Sequence, residues 1–149
     1  MPAPIVPERF DAEVAASMQD FAGGGLPAYL GIRTVDVSPG RMVAALDVRG
    51  DLLNPFGSLH GGVVSALVDH VLGAVLYPHI ERGHWAATTE FKVNLLAAVR
   101  GGGVRATATI VSLTRRTAVV QVEVDNDARP CALAQGTVLI TDPKPPSPA

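Results

Sequence analysis

The stretch "GGVVSALVDHVLGAVLYPHI", residues 61–80, decides the architecture. It is too long for one strand and lacks a turn signal before Pro78, so it reads as a helix that Pro78 helps to end. Wound as a helix, Val64, Leu67, Val68, Val71, Leu72 and Val75 leave little polar surface. Such a helix is predicted to sit in the middle of a fold. Asp69 interrupts the apolar run, with His70 its only basic neighbour. A carboxylate there needs a partner or a task, because burying an unpaired charge is costly.

The flanking sequence supplies what would bury that helix. Upstream, Phe10, Val14 and Met18 share one face of a short helix that "AGGG" at 22–25 ends. Strands follow at "LGIRTVDVS" (30–38) and "RMVAALDVRG" (41–50), joined as a hairpin by Pro39-Gly40. Downstream, "WAATTEFKVNLLAAV" (85–99), "VRATATIVSL" (104–113), "TAVVQVEVD" (117–125) and "CALAQGTVLIT" (131–141) read as four more strands. Val104, Ala106, Ala108 and Ile110 alternate with Arg105, Thr107 and Thr109; Val120, Val122 and Val124 alternate with Gln121 and Glu123. Hairpin-linked strands make an antiparallel sheet, and one curled around the apolar helix gives an α+β fold. Residues 1–141 are expected to form a single domain, and the Pro-rich 142–149 a disordered tail.

Composition narrows the function classes. With 48% hydrophobic and 17% charged residues, a chain of 149 residues builds a sizeable core and is not disordered or fibrous. A net charge of −2 gives no general electrostatic reason to bind nucleic acid or an anionic membrane. Cys131 is the only cysteine, which excludes an intramolecular disulfide, disfavours a Cys-based zinc site and suits a reducing compartment. "MPAPIVPERFDAEV" lacks a secretory signal, and the apolar run Val63 to Tyr77 is shorter than a membrane span; a cytoplasmic protein is expected. "AGGGL" and "RGGGV" are glycine turns without the context of a P-loop or Rossmann motif.

The segment Asn54, Gly57, His60, Gly61, Gly62, followed by Ala66, Leu67 and Asp69, resembles the hotdog-fold acyl-CoA thioesterases of the phenylacetate-pathway (PaaI-like) type. "TTEFKVNLLAAV" and "GGGVRATATIVSLTRRTAVVQVEV" resemble the family's following strands, so the likeness spans roughly residues 28–141. The resemblance implies a hotdog fold and a homodimer, often paired into a tetramer. It implies hydrolysis of an acyl-CoA substrate to free acid and CoA without metal or organic cofactor. It assigns Asp69 as general base or nucleophile, the Gly61 N–H as the group that polarises the thioester carbonyl, and Asn54 and His60 as orienting residues. The helper hydroxyl on the next strand falls at Thr88, with Thr89 as the fallback.

The chemistry agrees. Thioester hydrolysis needs a donor for the developing oxyanion and a group that activates water. A helix N-terminus at Gly61-Gly62 offers free N–H groups and close approach, and a partly buried Asp69 gains basicity. Asp69 follows Gly61 by eight positions, which on a helix is about 12 Å, too far to serve one carbonyl carbon. If both act at one site, antiparallel helices of two protomers must supply them, which predicts an obligate dimer with composite sites. Val64, Val68, Leu72, Leu53 and Phe56 are candidates to line an apolar acyl tunnel, and Gly62 is a candidate substrate-binding residue. Arg115 and Arg116, in a hairpin rich in arginine, are candidates for the CoA phosphates or simply a solvated face.

Each residue also has a structural reading. Asn54 and Gly57 can form a turn, His60 can cap a helix, Gly61-Gly62 can serve packing, Thr88 can be an ordinary strand residue, and Asp69 can pair across an interface. At the level of function the alternatives are a non-catalytic acyl-CoA-binding module, which would carry an attached DNA-binding segment not found here, and a hydratase, whose Asp/His motif is not found either.

Overall fold

The computed structural model describes residues 5–20 and 23–146; Phe21 and Ala22, where the first helix was expected to stop, and residues 147–149 of the tail lie outside them. The apolar stretch folds as a helix, but a shorter one than its composition suggests. In chain order the helices are α1 (Ala12–Gln19), α2 (Gly25–Leu30) and α3 (Gly61–Ala74); 3-10 turns at Gly50–Leu52 and Tyr77–His79 precede and follow α3. The strands are β1 (Arg33–Ser38), β2 (Arg41–Asp47), β3 (Trp85–Leu95), β4 (Gly103–Leu113), β5 (Thr117–Asn126) and β6 (Arg129–Thr141).

The strands form one antiparallel sheet in the order β1-β2-β4-β5-β6-β3. Val64, Leu67, Val68, Val71 and Leu72 of α3 are buried in the same core cluster as Met42, Ala44 and Leu46 of β2, Val104 and Ile110 of β4, and Val120, Val122 and Val124 of β5. Each buried Val or Leu contributes about 1.5–3 kcal/mol relative to exposure, so this one layer dominates the fold's stability. The alternation read from β4 and β5 holds. In β2 it is masked, because Val43 and Ala45 on the opposite face are buried too.

Helix α3 packs close to β3 and β6. An added Cβ at Gly61 would lie 2.9 Å from Leu95 Cδ1 and one at Gly73 3.9 Å from Ala86 Cβ, so α3 runs antiparallel to β3. Gly136 of β6 has no room for a side chain: a Cβ there would meet the Glu90 carbonyl at 2.8 Å and Leu72 Cδ1 at 2.9 Å. Away from the sheet, the side of α3 carrying Gly62, Ala66, Asp69 and Gly73 is not closed over in the single chain. The sheet curves around this central helix as expected, covering its apolar side and leaving the side with Asp69 open.

Two local features were missed in sequence. α2 occupies residues expected to be turn and early strand; Pro27 sits in its first turn and Gly31, at φ 72°, closes it as a left-handed cap. The β5–β6 turn is a two-residue loop with Asp127 and Ala128 both at positive φ (48° and 67°), the geometry that matches strand twist. Gly61–His79 has the length and apolarity of a membrane span (19 residues, mean hydropathy 1.4), more than the run Val63–Tyr77 suggested, yet its large side chains lie in the core of this fold. Beyond β6, Asp142 to Pro146 are exposed and irregular, with the Lys144 ammonium 4.7 Å above the Trp85 ring.

Candidate active site

At the N-terminus of α3 the loop 54–60 is built around Asn54. Its Oδ1 accepts the N–H groups of Phe56 (2.9 Å) and Ser58 (3.2 Å), its N–H donates to the Ser58 carbonyl (2.7 Å), and its own carbonyl accepts from Gly57 (3.1 Å), which sits at φ 82°. This is an Asx turn, and it delivers His60 to the helix start. His60 is the N-cap: its Nδ1 accepts the Gly62 N–H at 2.8 Å. A neutral imidazole that accepts at Nδ1 carries its proton on Nε2. The cap engages the Gly62 N–H, so that amide is already satisfied. The Gly61 N–H has no acceptor among the described residues. Asn54, Gly61 and Val64 line a depression of about 310 Å³ with Leu95, Leu96 and Cys131.

A second depression of about 360 Å³ lies towards the other end of α3, where Asp69, His70 and Gly73 face Tyr77, Ala86 and Thr88. Asp69 and Thr88 line this one depression, across the contact between α3 and β3. Thr89 is the residue displaced where the β3–β6 register shifts, and its Oγ1 donates to the Thr137 carbonyl at 3.1 Å, so the fallback hydroxyl is already used. Asp69 is exposed in the single chain rather than partly buried; any burial of its carboxylate must come from another molecule. Beside it, burial holds His70 below the usual histidine range, against the opposing pull of the Asp69 charge.

Other expected contacts fall elsewhere. Val68 and Leu72 are 0% exposed and belong to the core, because they lie on the sheet side of the helix, so they line neither depression. Arg115 and Arg116 flank a separate cleft of about 230 Å³ with His84 and Thr114. Neither makes an ion pair among the described residues. Sequence reasoning passed over His70 and Tyr77 as walls of the Asp69 depression, and Leu95, Leu96 and Cys131 as walls of the other. The adjacency of His70 to Asp69 was a usable signal. The β3 and β6 residues had none, since strand pairing brings them in.

The chain therefore holds two separate constellations. One has an unsatisfied N–H at a helix N-terminus, where the dipole favours negative charge. The other has a solvated carboxylate beside a hydroxyl. On one helix they are about 12 Å apart.

Comparison with known proteins bears on both. The thioesterase superfamily profile matches residues 56–132, which include both ends of α3. The chain is 32% identical over 103 residues to a 1,4-dihydroxy-2-naphthoyl-CoA hydrolase of Listeria monocytogenes, covering 69% of this chain and 84% of that one. It is 26% identical over 106 residues to human acyl-coenzyme A thioesterase 13, covering 70% and 75%. Among solved structures, a Haemophilus influenzae thioesterase shares the fold with a TM-score of 0.82 at 24% identity, covering 90% of this chain and 94% of that one. A point mutant of the phenylacetic acid degradation protein PaaI from Thermus thermophilus aligns with a TM-score of 0.70 at 32% identity, covering 76% and 96%.

Proposed function

This chain belongs to the thioesterase superfamily and is a thioester hydrolase of the hotdog fold, and from that premise we propose that it hydrolyses acyl-CoA at sites shared between two protomers. The observation that carries the proposal is the separation of the two half-sites: a free Gly61 N–H at one end of α3 and Asp69 with Thr88 at the other. A twofold axis that sets two α3 helices antiparallel puts Gly61 of one protomer beside Asp69 of its partner, twice. Two features favour such pairing. β3 is an edge strand of 11 residues, a long unpaired edge of the kind proteins pair or cover. The open side of α3 carries small residues near Asp69, Gly62, Ala66 and Gly73 among them, which lets a second helix approach. A further pairing of dimers through the outer sheet face, where Leu133 and Leu139 are exposed, is part of the same proposal.

In this reading the thioester carbonyl oxygen takes the Gly61 N–H of one protomer. Asp69 of the other removes a proton from a water held by Thr88. The hydroxide adds to the carbonyl carbon; the tetrahedral intermediate carries its negative charge on the oxygen at the helix N-terminus. Collapse breaks the C–S bond, and the proton held by Asp69 passes to the departing thiolate. His60 and Asn54 act indirectly, by holding the loop and capping Gly62 so that the free amide is the one at Gly61. The chain's own groups complete this cycle without a resident metal or cofactor. Arg115 and Arg116, free of carboxylate partners among the described residues, suit the CoA phosphates; their replacement by Ala should raise KM for acyl-CoA but not for an acyl-pantetheine that lacks the nucleotide. The single, buried Cys131 suits a reducing, cytoplasmic setting.

The test is thiol release from a panel of acyl-CoAs. Wild type is expected to cleave at least one, and Asp69→Asn and Asp69→Ala to lose most of kcat while still dimerising. Acyl-CoA that binds tightly but is never cleaved would make the chain a binding module instead.

A further inference from the structure

His79 is the one polar residue among the buried side chains described, 6% exposed, and it lies outside both half-sites. It sits where three segments meet. Its Nδ1 lies 2.6 Å from the Arg9 carbonyl, and its Nε2 accepts the Gly40 N–H at 3.1 Å. A carbonyl on one side and an N–H on the other define a neutral ring with the proton on Nδ1. One imidazole thereby ties the N-terminal strap, residues 5–11, and the β1–β2 turn to the turn Tyr77–His79. The strap is fastened around it as well. The Asp11 N–H donates to the Pro78 carbonyl at 2.7 Å, Arg82 reaches Asp11 at 2.8 Å, and the Phe10 ring lies 5.5 Å from the imidazole. Asp11 also caps α1, accepting from Glu13 and Val14.

The turn so clamped begins with Tyr77, whose ring walls the depression that holds Asp69 and Thr88. Nothing on the surface of that depression anchors Tyr77 strongly: its hydroxyl accepts only a long contact, 3.5 Å, from the Ala86 N–H. The anchoring comes from behind, through Pro78 and His79. We propose that His79 is a positioning residue for catalysis, whose bonds to Arg9 and Gly40 hold the Tyr77–His79 turn against the N-terminal strap and so fix Tyr77 in the wall of the Asp69 half-site. This rests on the assignment of that depression as half of the active site.

The test is a double-mutant cycle on the intact dimer, with kcat/KM for a cleaved acyl-CoA and amide hydrogen exchange as readouts. His79→Phe keeps the ring and removes both hydrogen bonds. It is expected to lower kcat/KM about tenfold and to speed exchange at Asp11, Gly40 and Ile80 while the core amides of α3 keep their protection. Because His79 acts through Tyr77, His79→Phe should cost little more once Tyr77→Ala is present. His79→Gln, which can still accept from Gly40, should recover part of the activity and the Gly40 protection, and it serves alone if the Phe variant does not fold. Multiplicative effects of the two substitutions, or kcat/KM within twofold of wild type in both His79 variants, overturn the proposal. Asp69→Asn run in parallel separates the two ideas. If it abolishes turnover while His79 variants do nothing, only the positioning role falls; if it leaves turnover intact, the half-site assignment itself falls.

Discussion

Two inactive variants should make an active enzyme when mixed in one dimer. Gly61→Pro is suited to deleting the oxyanion donor alone. Gly61 is the first residue of α3, where proline is tolerated because that N–H has no partner within the helix. The residue before it, His60, has φ −62° and ψ 134°, the extended conformation that a following proline requires. The added carbon meets Leu95 Cδ1 at 2.9 Å, the tip of a side chain that is 57% exposed and free to turn away. Loss of one oxyanion donor costs about 10²–10³ in kcat, roughly 2.7–4 kcal/mol. Asp69→Asn removes the base and costs on the order of 10²–10⁴. In the proposed dimer, a heterodimer of the two variants has one site with both defects and one with neither, because its one intact Asp69 faces the partner's one intact Gly61. Co-expressed with different tags and purified through both, such a heterodimer should show about half the wild-type kcat if the proposed composite site is right. Sites built within a single chain would leave both damaged, and a heterodimer no more active than its parents would refute the composite site.

Thr88→Val should lower kcat about tenfold or more without loss of fold, whereas Thr89→Val loses only its bond to the Thr137 carbonyl and should cost about 0.5–1.5 kcal/mol of stability with kcat unchanged; thiol release and urea melts separate the two. Gly136→Ala forces a carbon to 2.8 Å from both the Glu90 carbonyl oxygen and Phe91 Cβ, where backbone cannot yield, so Tm should fall by an amount corresponding to about 1–3 kcal/mol. Burial holds both His70 and His79 below the usual 6.5, so below that pH the unfolded chain binds more protons and stability should decline as pH falls from 6.5. Asp11, held at about 2 by its bonds to Arg82 and the α1 amides, contributes stability above its ordinary 3.8 and loses it only towards pH 2. A urea midpoint at pH 5 equal to or above that at pH 7.5 would contradict the histidine assignment.

The amino-acid sequence alone determined the six strands and the central helix, though not α2. A helix apolar but for Asp69 and His70, and strands of period two, leave few ways to bury what they expose, so an antiparallel sheet on one central helix was legible from Val64 to Val75 and from Val104 to Val124. The spacing of Gly61 and Asp69 was equally legible, since helical rise converts position directly into distance. What escaped was everything set by contacts remote in sequence. Val68 and Leu72 look like any apolar residues near a reactive group, and only packing against β2, β4 and β5 shows them turned into the core. That Thr89 is turned to bond the Thr137 carbonyl depended on a register shift against β6, and the open side of α3 on where the sheet stops. His79 carries no sequence signal at all, because its partners, Arg9 and Gly40, lie 70 and 39 positions away. Local periodicity encodes which way a side chain points relative to its own backbone; which neighbour it meets there is decided only when the strands pair and the chain closes over the helix.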